Sequence, residues 1–313
     1  MGLVSARPGY LAALLQALLV TSLWATSFLL VKAVLPSIPP ITLAGLRYAL
    51  AFLLLLGYAL LFDRRRPGRL PWSALAVIGV LQFGVAQALQ YVALGLLPVA
   101  TIALTFSLLP ALQALVDALW LKEPPSGAQL LGAAVTLLGI VIYLPWRREI
   151  AWGGLALMAA SLVASTIGLT LSRAIARERR TTTLVLTLTS MGAGALAILP
   201  VGLAVEAAPQ FSRSVWLSLV WLSLMNTAVA FSLWNHALRV LTAFEANVIG
   251  NTTIFQVGIL GWVVLKESLS GRQIGGMILA AAGVLLSQWR ALRRPAPLLP
   301  EGAPPAETPA RSG

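Results

Sequence analysis

Residues 121–132 read LKEPPSGAQLLG, and residues 265–276 read LKESLSGRQIGG. The two stretches match without a gap at Leu, Lys, Glu, Ser, Gly, Gln and Gly, at a constant offset of 144 positions. The same offset pairs Ala93 with Ala237 upstream and Gly139 with Gly283 downstream. An apolar chain supplies Leu and Ala matches by chance, but it does not easily supply this polar spacing. The chain therefore contains two copies of one unit, and its fold is interpreted from this duplication.

Composition places most of the chain in lipid. Of its 313 residues, 58% are hydrophobic and 10% are charged, whereas soluble domains carry about 25% charged residues. The net charge of +12 comes from short Arg clusters between apolar runs, which is typical of membrane-flanking charges and not of a nucleic-acid surface. Cysteine is absent and His236 is the single histidine, which excludes disulfides, Cys-ligated metals and all-His metal sites. We expect no metal and no cofactor.

Ten apolar segments are long enough to cross a bilayer as helices. Their approximate limits are 10–32, 40–62, 72–95, 99–121, 128–145, 152–172, 182–205, 215–238, 243–265 and 271–289. The first is interpreted as a span and not as a signal peptide, because it lacks an obvious small-x-small cleavage site and begins a series of ten spans. The spans divide the chain into an N-terminal segment 1–9, a first repeat 10–145, a second repeat 146–290, and a tail 291–313 whose composition predicts disorder.

The distribution of Lys and Arg predicts that both termini lie in the cytoplasm, because this orientation places most basic residues on the inner side. Each half then has five spans, an odd number, so the second half enters the membrane in the opposite direction. The predicted fold class is an all-α membrane protein with ten transmembrane helices, built from two inverted five-helix repeats. Secondary transporters of this design bind substrate near the bilayer midplane, between the repeats.

Motifs in both halves resemble those of one known family. They are Leu23-Trp24-Ala25-Thr26-Ser27-Phe28 with Lys32, Arg47-Tyr48-Ala49-Leu50-Ala51, Pro110, Leu121-Lys122-Glu123-Pro124, Gly132 with Gly139, Trp234-Asn235-x-Ala237-Leu238, Leu265-Lys266-Glu267, and Gly276 with Gly283. Over roughly residues 10–290 the chain resembles EamA-type members of the drug/metabolite transporter superfamily. The resemblance implies ten helices around a central cavity, alternating access, and small organic solutes as substrates. Ile254 departs from it, because the second repeat usually has proline there.

A polar and aromatic stripe is the first candidate for a substrate site. Helical spacing aligns four side chains on one face of span 3 and their four repeat partners on one face of span 8. The set is Phe83, Gln87, Gln90, Tyr91, Thr227, Phe231, Trp234 and Asn235. Amide side chains are unfavourable in lipid, so the stripe should face protein or a water-filled cavity. Two interpretations stay open, namely cavity lining that binds substrate and hydrogen bonding between helices.

Spans 1, 4 and 9 add further candidates. Asn247 and Asn251 lie one turn apart on span 9, and Ser107 occupies the position of Asn251 in the first repeat. Asparagine amides bind both the ammonium and the carboxylate group of a zwitterion, whereas helix contact is the alternative role. Trp24 is expected near the midplane of span 1, where it either forms a cavity wall or packs.

Few ionisable side chains are placed to anchor a substrate or to couple transport to protons. Asp117 lies near Lys122 and Glu245 lies near Arg239, so interfacial ion pairing and proton coupling are both open for these acids. Arg47 lies about two turns into span 2. It either snorkels to the interface or anchors a substrate carboxylate. No carboxylate stands out at the midplane, so uniport or exchange is as defensible as proton coupling.

The repeated motif itself predicts architecture. Ser126-x-x-Gln129 and Ser270-x-x-Gln273 match the capping box, so each repeat should end one span, turn, and cap the next. Small residues then form a face on span 5 and on span 10, which allows close helix crossing. They are Gly132, Thr136, Gly139, Gly276, Ala280 and Gly283.

The sequence therefore predicts a secondary transporter in a bacterial inner membrane. We expect it to move a small amphipathic solute, an amino acid or a related metabolite, with export favoured. A nucleotide-sugar or lipid-linked substrate carrier of the same fold is the alternative, although phosphate groups would favour more basic side chains in the cavity. A membrane enzyme is disfavoured because the chain has no HExxH, GxSxG or DxxD motif. A channel is disfavoured because no charged ring is evident. The expected partners are the solute and the lipid bilayer, with oligomeric state left open.

Overall fold

The described chain is a bundle of ten apolar helices, each ending where Pro, Gly or polar residues interrupt the hydrophobic run. The computed structural model describes residues 9–62, 71–120, 122, 124–144, 151–177, 183–238, 240–241 and 243–288. The helices are α1 (Tyr10–Val34), α2 (Pro40–Phe62), α3 (Trp72–Leu96), α4 (Val99–Trp120), α5 (Gly127–Tyr143), α6 (Trp152–Arg177), α7 (Thr183–Val205), α8 (Arg213–Ser223, Leu224–Val229 and Ala230–Ala237 in succession), α9 (Ala243–Val264) and α10 (Gly271–Ser287).

Within the described residues, seven helices are long and apolar enough to cross a membrane. Three shorter apolar helices complete the set: α5, the part of α9 from Val248 to Val264, and α10. Their 17 residues span about 25 Å at 1.5 Å per residue, close to the hydrocarbon thickness of a bilayer. The ten-helix fold is thus confirmed, whereas the predicted disordered tail 291–313 lies outside the described residues.

The repeated motif forms the same turn twice. Ser126 and Ser270 each accept the backbone N–H of the glutamine three residues later at 3.3 Å, and each glutamine Oε1 accepts the serine N–H, at 2.7 and 2.8 Å. Both predicted capping boxes are confirmed. Lys122 and Lys266 have positive φ values of 56° and 57°, and among the described residues they are the non-glycine residues with positive φ. A left-handed lysine thus ends the preceding helix in both repeats.

Helices α5 and α10 meet through their small-residue faces. A Cβ atom on Gly139 would lie 2.4 Å from the backbone nitrogen of Ala280, and one on Gly276 would lie 2.7 Å from the carbonyl oxygen of Gly139. Thr136 Oγ1 donates a hydrogen bond to the Ala280 carbonyl oxygen at 3.3 Å, and these two residues are repeat counterparts. The predicted seam is therefore confirmed, and it joins a helix to its own copy.

The other helix contacts also come in pairs that are related by the repeat. Helix α2 packs on its counterpart α7, where the Glu206 carboxylate accepts the backbone N–H groups of Ile41 and Thr42 at 3.0 and 2.7 Å. Helix α3 packs on α6 as α8 packs on α1, and α4 packs on α6 as α9 packs on α1. This reciprocal pattern is that of two inverted repeats. A buried apolar cluster that includes Leu29, Leu43 and Leu94 joins helices of both halves.

Two features of the bundle depart from regular α-helix. Residues Val80–Val85 of α3 and Leu224–Val229 of α8 are π-helical, and these segments are repeat counterparts at the offset of 144. Helix α4 breaks at Ser107 and Leu108, whose N–H groups bond three residues back, just before Pro110. Proline removes a backbone donor and opens the turn before it. Helix α9, with Ile254 at the equivalent position, runs without a break.

Candidate functional site

Arg47 is the centre of a buried polar cluster. Its Nη1 donates to Tyr91 OH at 2.6 Å and to Ser27 Oγ at 3.0 Å, while Nε and Nη2 donate to Thr227 Oγ1 at 3.3 and 3.2 Å. Arg47 is 8% exposed, so its head group lies inside the bundle and does not reach the interface. Helices α1, α2 and α3 of the first repeat and α8 of the second contribute to this cluster. The structure thus brings together Arg47, Tyr91 and Thr227 of the predicted set.

An aromatic cluster adjoins the Arg47 cluster. The Trp24 ring lies 5.9 Å from that of Phe231 at an interplanar angle of 61°, and 5.1 Å from that of Trp234 at 51°. Trp24 precedes Ser27 by three residues on α1, and Phe231 follows Thr227 by four on α8. Residues with these spacings are neighbours on one helix face, roughly 5–6 Å apart. The site therefore presents a guanidinium at one end and an aromatic surface at the other.

The π-helical stretch of α8 contributes residues that contact both α1 and α2. Asn226 Nδ2 donates to the Leu23 carbonyl oxygen and to Thr26 Oγ1 of α1, the latter at 3.3 Å. The next residue, Thr227, bonds Arg47 instead. Two consecutive residues of this π-helical stretch thus bind different helices, α1 and α2. Sequence reasoning missed Asn226, although its repeat counterpart Gln82 is also an amide, which was an available signal.

Helices α1 and α9 run parallel and are tied at three levels with a constant residue offset of 235. Tyr10 OH donates to Glu245 Oε1 at 3.0 Å at one end, and Gln256 Nε2 donates to Thr21 Oγ1 at 3.2 Å near the middle. The third tie lies at the other end, between Lys32 and Glu267. Glu245 therefore lies at the end of the bundle, away from Arg47.

The tie between Lys32 and Glu267 also holds the start of α4. Lys32 Nζ donates to Glu267 Oε1 at 3.0 Å and to the Leu97 carbonyl oxygen at 2.9 Å. The Glu267 carboxylate accepts a hydrogen bond from the Val99 N–H at 3.0 and 3.1 Å, which satisfies a backbone donor at the N-terminus of α4. The left-handed turn at Lys266 directs Glu267 back to this position. We call Lys32, Glu267 and the Val99 N–H the end latch.

Asp117 pairs with a different partner from the one expected. It is 6% exposed and accepts hydrogen bonds from Gln113 at 2.8 Å, from Thr170 at 3.0 Å and from Arg173 of α6. The expected partner Lys122 lies beyond the end of α4 in the left-handed conformation and is exposed. Asp117 thus ties α4 to α6 near one end of the bundle, in the way that Glu245 ties α9 to α1.

The remaining predicted residues are dispersed. Phe83 packs against Tyr48 with ring centroids 5.3 Å apart, in a cluster that faces α7. Gln90 is buried and Gln87 half-buried on α3, and Asn251 is half-buried on α9.

Ser107 is buried in the break of α4, where its hydroxyl donates to the Leu104 carbonyl oxygen at 2.6 Å. The side chains of Asn235 and Asn247 lie outside the described residues. Among the residues that the structure does describe, no group of three or more His, Asp or Glu side chains is placed to hold a metal ion.

Comparison with known proteins decides the family. The model of the EamA-like transporter family matches residues 11–144 and 151–289, one match for each repeat. The chain belongs to the EamA-like transporter family. It is therefore a multi-pass membrane protein of a transporter family and not an enzyme.

Curated relatives are distant in sequence, and each match covers about four fifths or more of both chains. Protein PecM of Dickeya dadantii is 27% identical over 85% of this chain and 88% of its own length. A probable amino-acid metabolite efflux pump of Salmonella typhimurium is 25% identical over 91% and 95%. An S-adenosylmethionine/S-adenosylhomocysteine transporter of Chlamydia trachomatis is 25% identical over 79% and 80%. A solved crystal structure shares the fold, with a TM-score of 0.65 and 22% identity over 90% of this chain and 98% of that one.

Proposed function

We propose that this EamA-family protein is a secondary transporter that moves a small amphipathic organic solute, an amino acid or a related metabolite, by alternating access. The observation that carries the proposal is the contact of Trp24 in the first repeat with Phe231 and Trp234 in the second, beside Arg47. An amphipathic solute matches a site with one charged and one aromatic end. Solute bound there contacts both halves, which is what a carrier with inverted repeats requires.

Export is the proposed direction, and the bacterial inner membrane is the proposed location with both termini in the cytoplasm. The name of the Salmonella relative, an efflux pump for amino-acid metabolites, supports export. The Chlamydia relative is named for solutes that contain an amino-acid group. In the proposed orientation the end latch faces outwards. A Ser268→Cys variant, the single thiol in a chain without cysteine, should then react with an impermeant maleimide added to intact cells.

The direct test is transport by purified protein in liposomes. A panel of amino acids, together with S-adenosylmethionine, is loaded inside, and exchange for external radiolabelled solute is measured. Trp24→Ala should weaken the apparent affinity for transported solutes about tenfold, since it removes one aromatic face of the site. Trp216→Ala is the matched control, because Trp216 stacks on Phe211 and has no contact with this cluster. Absence of transport for the whole panel, or an equal effect of both variants, would overturn the proposal.

A further inference from the structure

Arg47 carries a buried positive charge that no described carboxylate neutralises. It is 8% exposed, and its partners Ser27, Tyr91 and Thr227 are all neutral hydroxyls. The two ion pairs found among the described residues lie elsewhere, at the ends of helices. An isolated charge inside a low-dielectric bundle is unfavourable unless an opposite charge meets it. The described residues of this cluster supply a cation and no anion.

The hydroxyls around Arg47 differ in what they can still donate. Thr227 donates its hydroxyl hydrogen to the Leu222 carbonyl oxygen at 2.9 Å, so towards Arg47 it acts as an acceptor. Ser27 and Tyr91 accept from Arg47 Nη1, and neither hydroxyl hydrogen is donated to another described residue. A carboxylate accepts hydrogen bonds from guanidinium and hydroxyl groups alike. Arg47, Ser27 and Tyr91 therefore form a set of donors that converges from three helices.

The aromatic cluster fixes what the rest of the ligand must be. Trp24 and Phe231 lie one helical turn from Ser27 and Thr227 on their respective helices. We propose that Arg47, with the hydroxyls of Ser27 and Tyr91, binds the carboxylate of the transported solute, whose apolar group lies against Trp24 and Phe231. This inference rests on the proposed function and narrows it to one substrate class: small monocarboxylates with an apolar group, including zwitterionic amino acids.

This assignment separates compounds that differ by one group. A free amino acid has the carboxylate, its methyl ester keeps the apolar group and a similar size without the negative charge, and the decarboxylated amine lacks the carboxyl group altogether. A site that relies on a buried guanidinium should discriminate strongly, because an analogue without a carboxylate leaves the guanidinium without an anion. We expect free acids to bind about 100-fold more tightly than their esters or amines.

Binding is measured without reference to transport, as thermal stabilisation of the purified protein. The probes are apolar L-amino acids, their methyl esters and the corresponding amines. Arg47→Gln should reduce affinity for the free acids to that of the esters. Tyr91→Phe keeps the buried ring and removes one donor, so it should weaken free-acid binding about tenfold and leave ester binding unchanged. Tyr143→Phe is the control: Tyr143 is as buried as Tyr91, and its hydroxyl contacts Thr101 instead.

The outcomes separate this inference from the proposed function. Selective binding of free acids that Tyr91→Phe weakens and Tyr143→Phe does not would support the inference, even if no solute crossed the membrane. Transport in which acid and ester compete equally would overturn the inference and leave the proposed function standing. Failure of every free acid to stabilise the wild type would overturn the inference as well. Should Arg47→Gln fail to fold, the comparison of the two tyrosine variants still decides the question.

Discussion

Replacing Glu267 with glutamine should loosen the end latch and admit reagents to the interior of the bundle. The carboxylate accepts one hydrogen bond from the Lys32 ammonium and a bifurcated one from the Val99 N–H. Glutamine keeps an acceptor for Val99 but loses the ion pair. Lys32 retains its bond to the Leu97 carbonyl oxygen.

The expected magnitude follows from the exposure of the pair. Hydrogen bonds to charged groups contribute about 1.5–3 kcal/mol, whereas exposed ion pairs contribute about 0–1 kcal/mol. The Lys32 side chain is 29% exposed and that of Glu267 15% exposed, so we take an intermediate value of about 1.5 kcal/mol. This value corresponds to roughly a tenfold increase in the population of open molecules.

The assay uses the absence of cysteine from the chain. Ala103→Cys places a single thiol one turn past Val99 on α4, at a position that is 2% exposed. Its rate of reaction with a maleimide should rise about tenfold when Glu267→Gln is added. Glu206→Gln is the matched control, since Glu206 also binds backbone N–H groups at a helix start but joins α2 to α7. An unchanged rate in folded Glu267→Gln protein, or an equal rise with Glu206→Gln, would refute the latch.

Two further substitutions probe the frame. Gly276→Ala should lower the free energy of unfolding of the detergent-solubilised protein by about 1–3 kcal/mol through overpacking, because its Cβ would lie 2.7 Å from the Gly139 carbonyl oxygen. In the control Gly275→Ala, the added Cβ meets no atom within 4 Å, so this variant should be neutral or stabilising. Equal stability of these two variants would contradict the close seam. Asp117→Asn should reduce the free energy of unfolding by only about 1–2 kcal/mol, because the Arg173 side chain is 44% exposed and stays hydrated when the ion pair is lost. The variant should leave the pH dependence of transport unchanged in a liposome assay. A lost pH response would instead identify Asp117 as a proton-coupling group.

The frame was predictable because its signals are local or repeated. Capping boxes need only a serine and a glutamine three residues apart, and small residues at helical spacing predict the face between α5 and α10. Helical spacing and the offset of 144 also placed Tyr91, Thr227 and Phe231 in one polar and aromatic stripe. Periodicity suffices for such features, since it reports which side of a helix a residue occupies.

The contacts that position the site were not predictable from periodicity. A π-helical stretch shifts the hydrogen-bond register within an apolar run and leaves no mark in composition, so the separate roles of Asn226 and Thr227 were missed. Lys122 is not the ion-pair partner of Asp117, because Lys122 adopts a left-handed conformation beyond the end of α4, away from the Asp117 carboxylate. Glu267 and Val99 are 168 residues apart, and nothing in either segment indicates the other.

The pairing of helices with their own copies has a consequence for movement. If the two halves exchange conformations, the contacts of α5 with α10 and of α2 with α7 are transformed into themselves, because each is its own image. The contacts of α1 with α9 and of α4 with α6 are transformed into each other. The contacts of α5 with α10 and of α2 with α7 can thus stay unchanged during the exchange. The Lys32–Glu267 ion pair at one end of the bundle then loosens as the Asp117–Arg173 ion pair at the other end tightens, and the reverse. Helix α4 is broken at Ser107 and Leu108 whereas its counterpart α9 is not, so this exchange is unequal in the two directions.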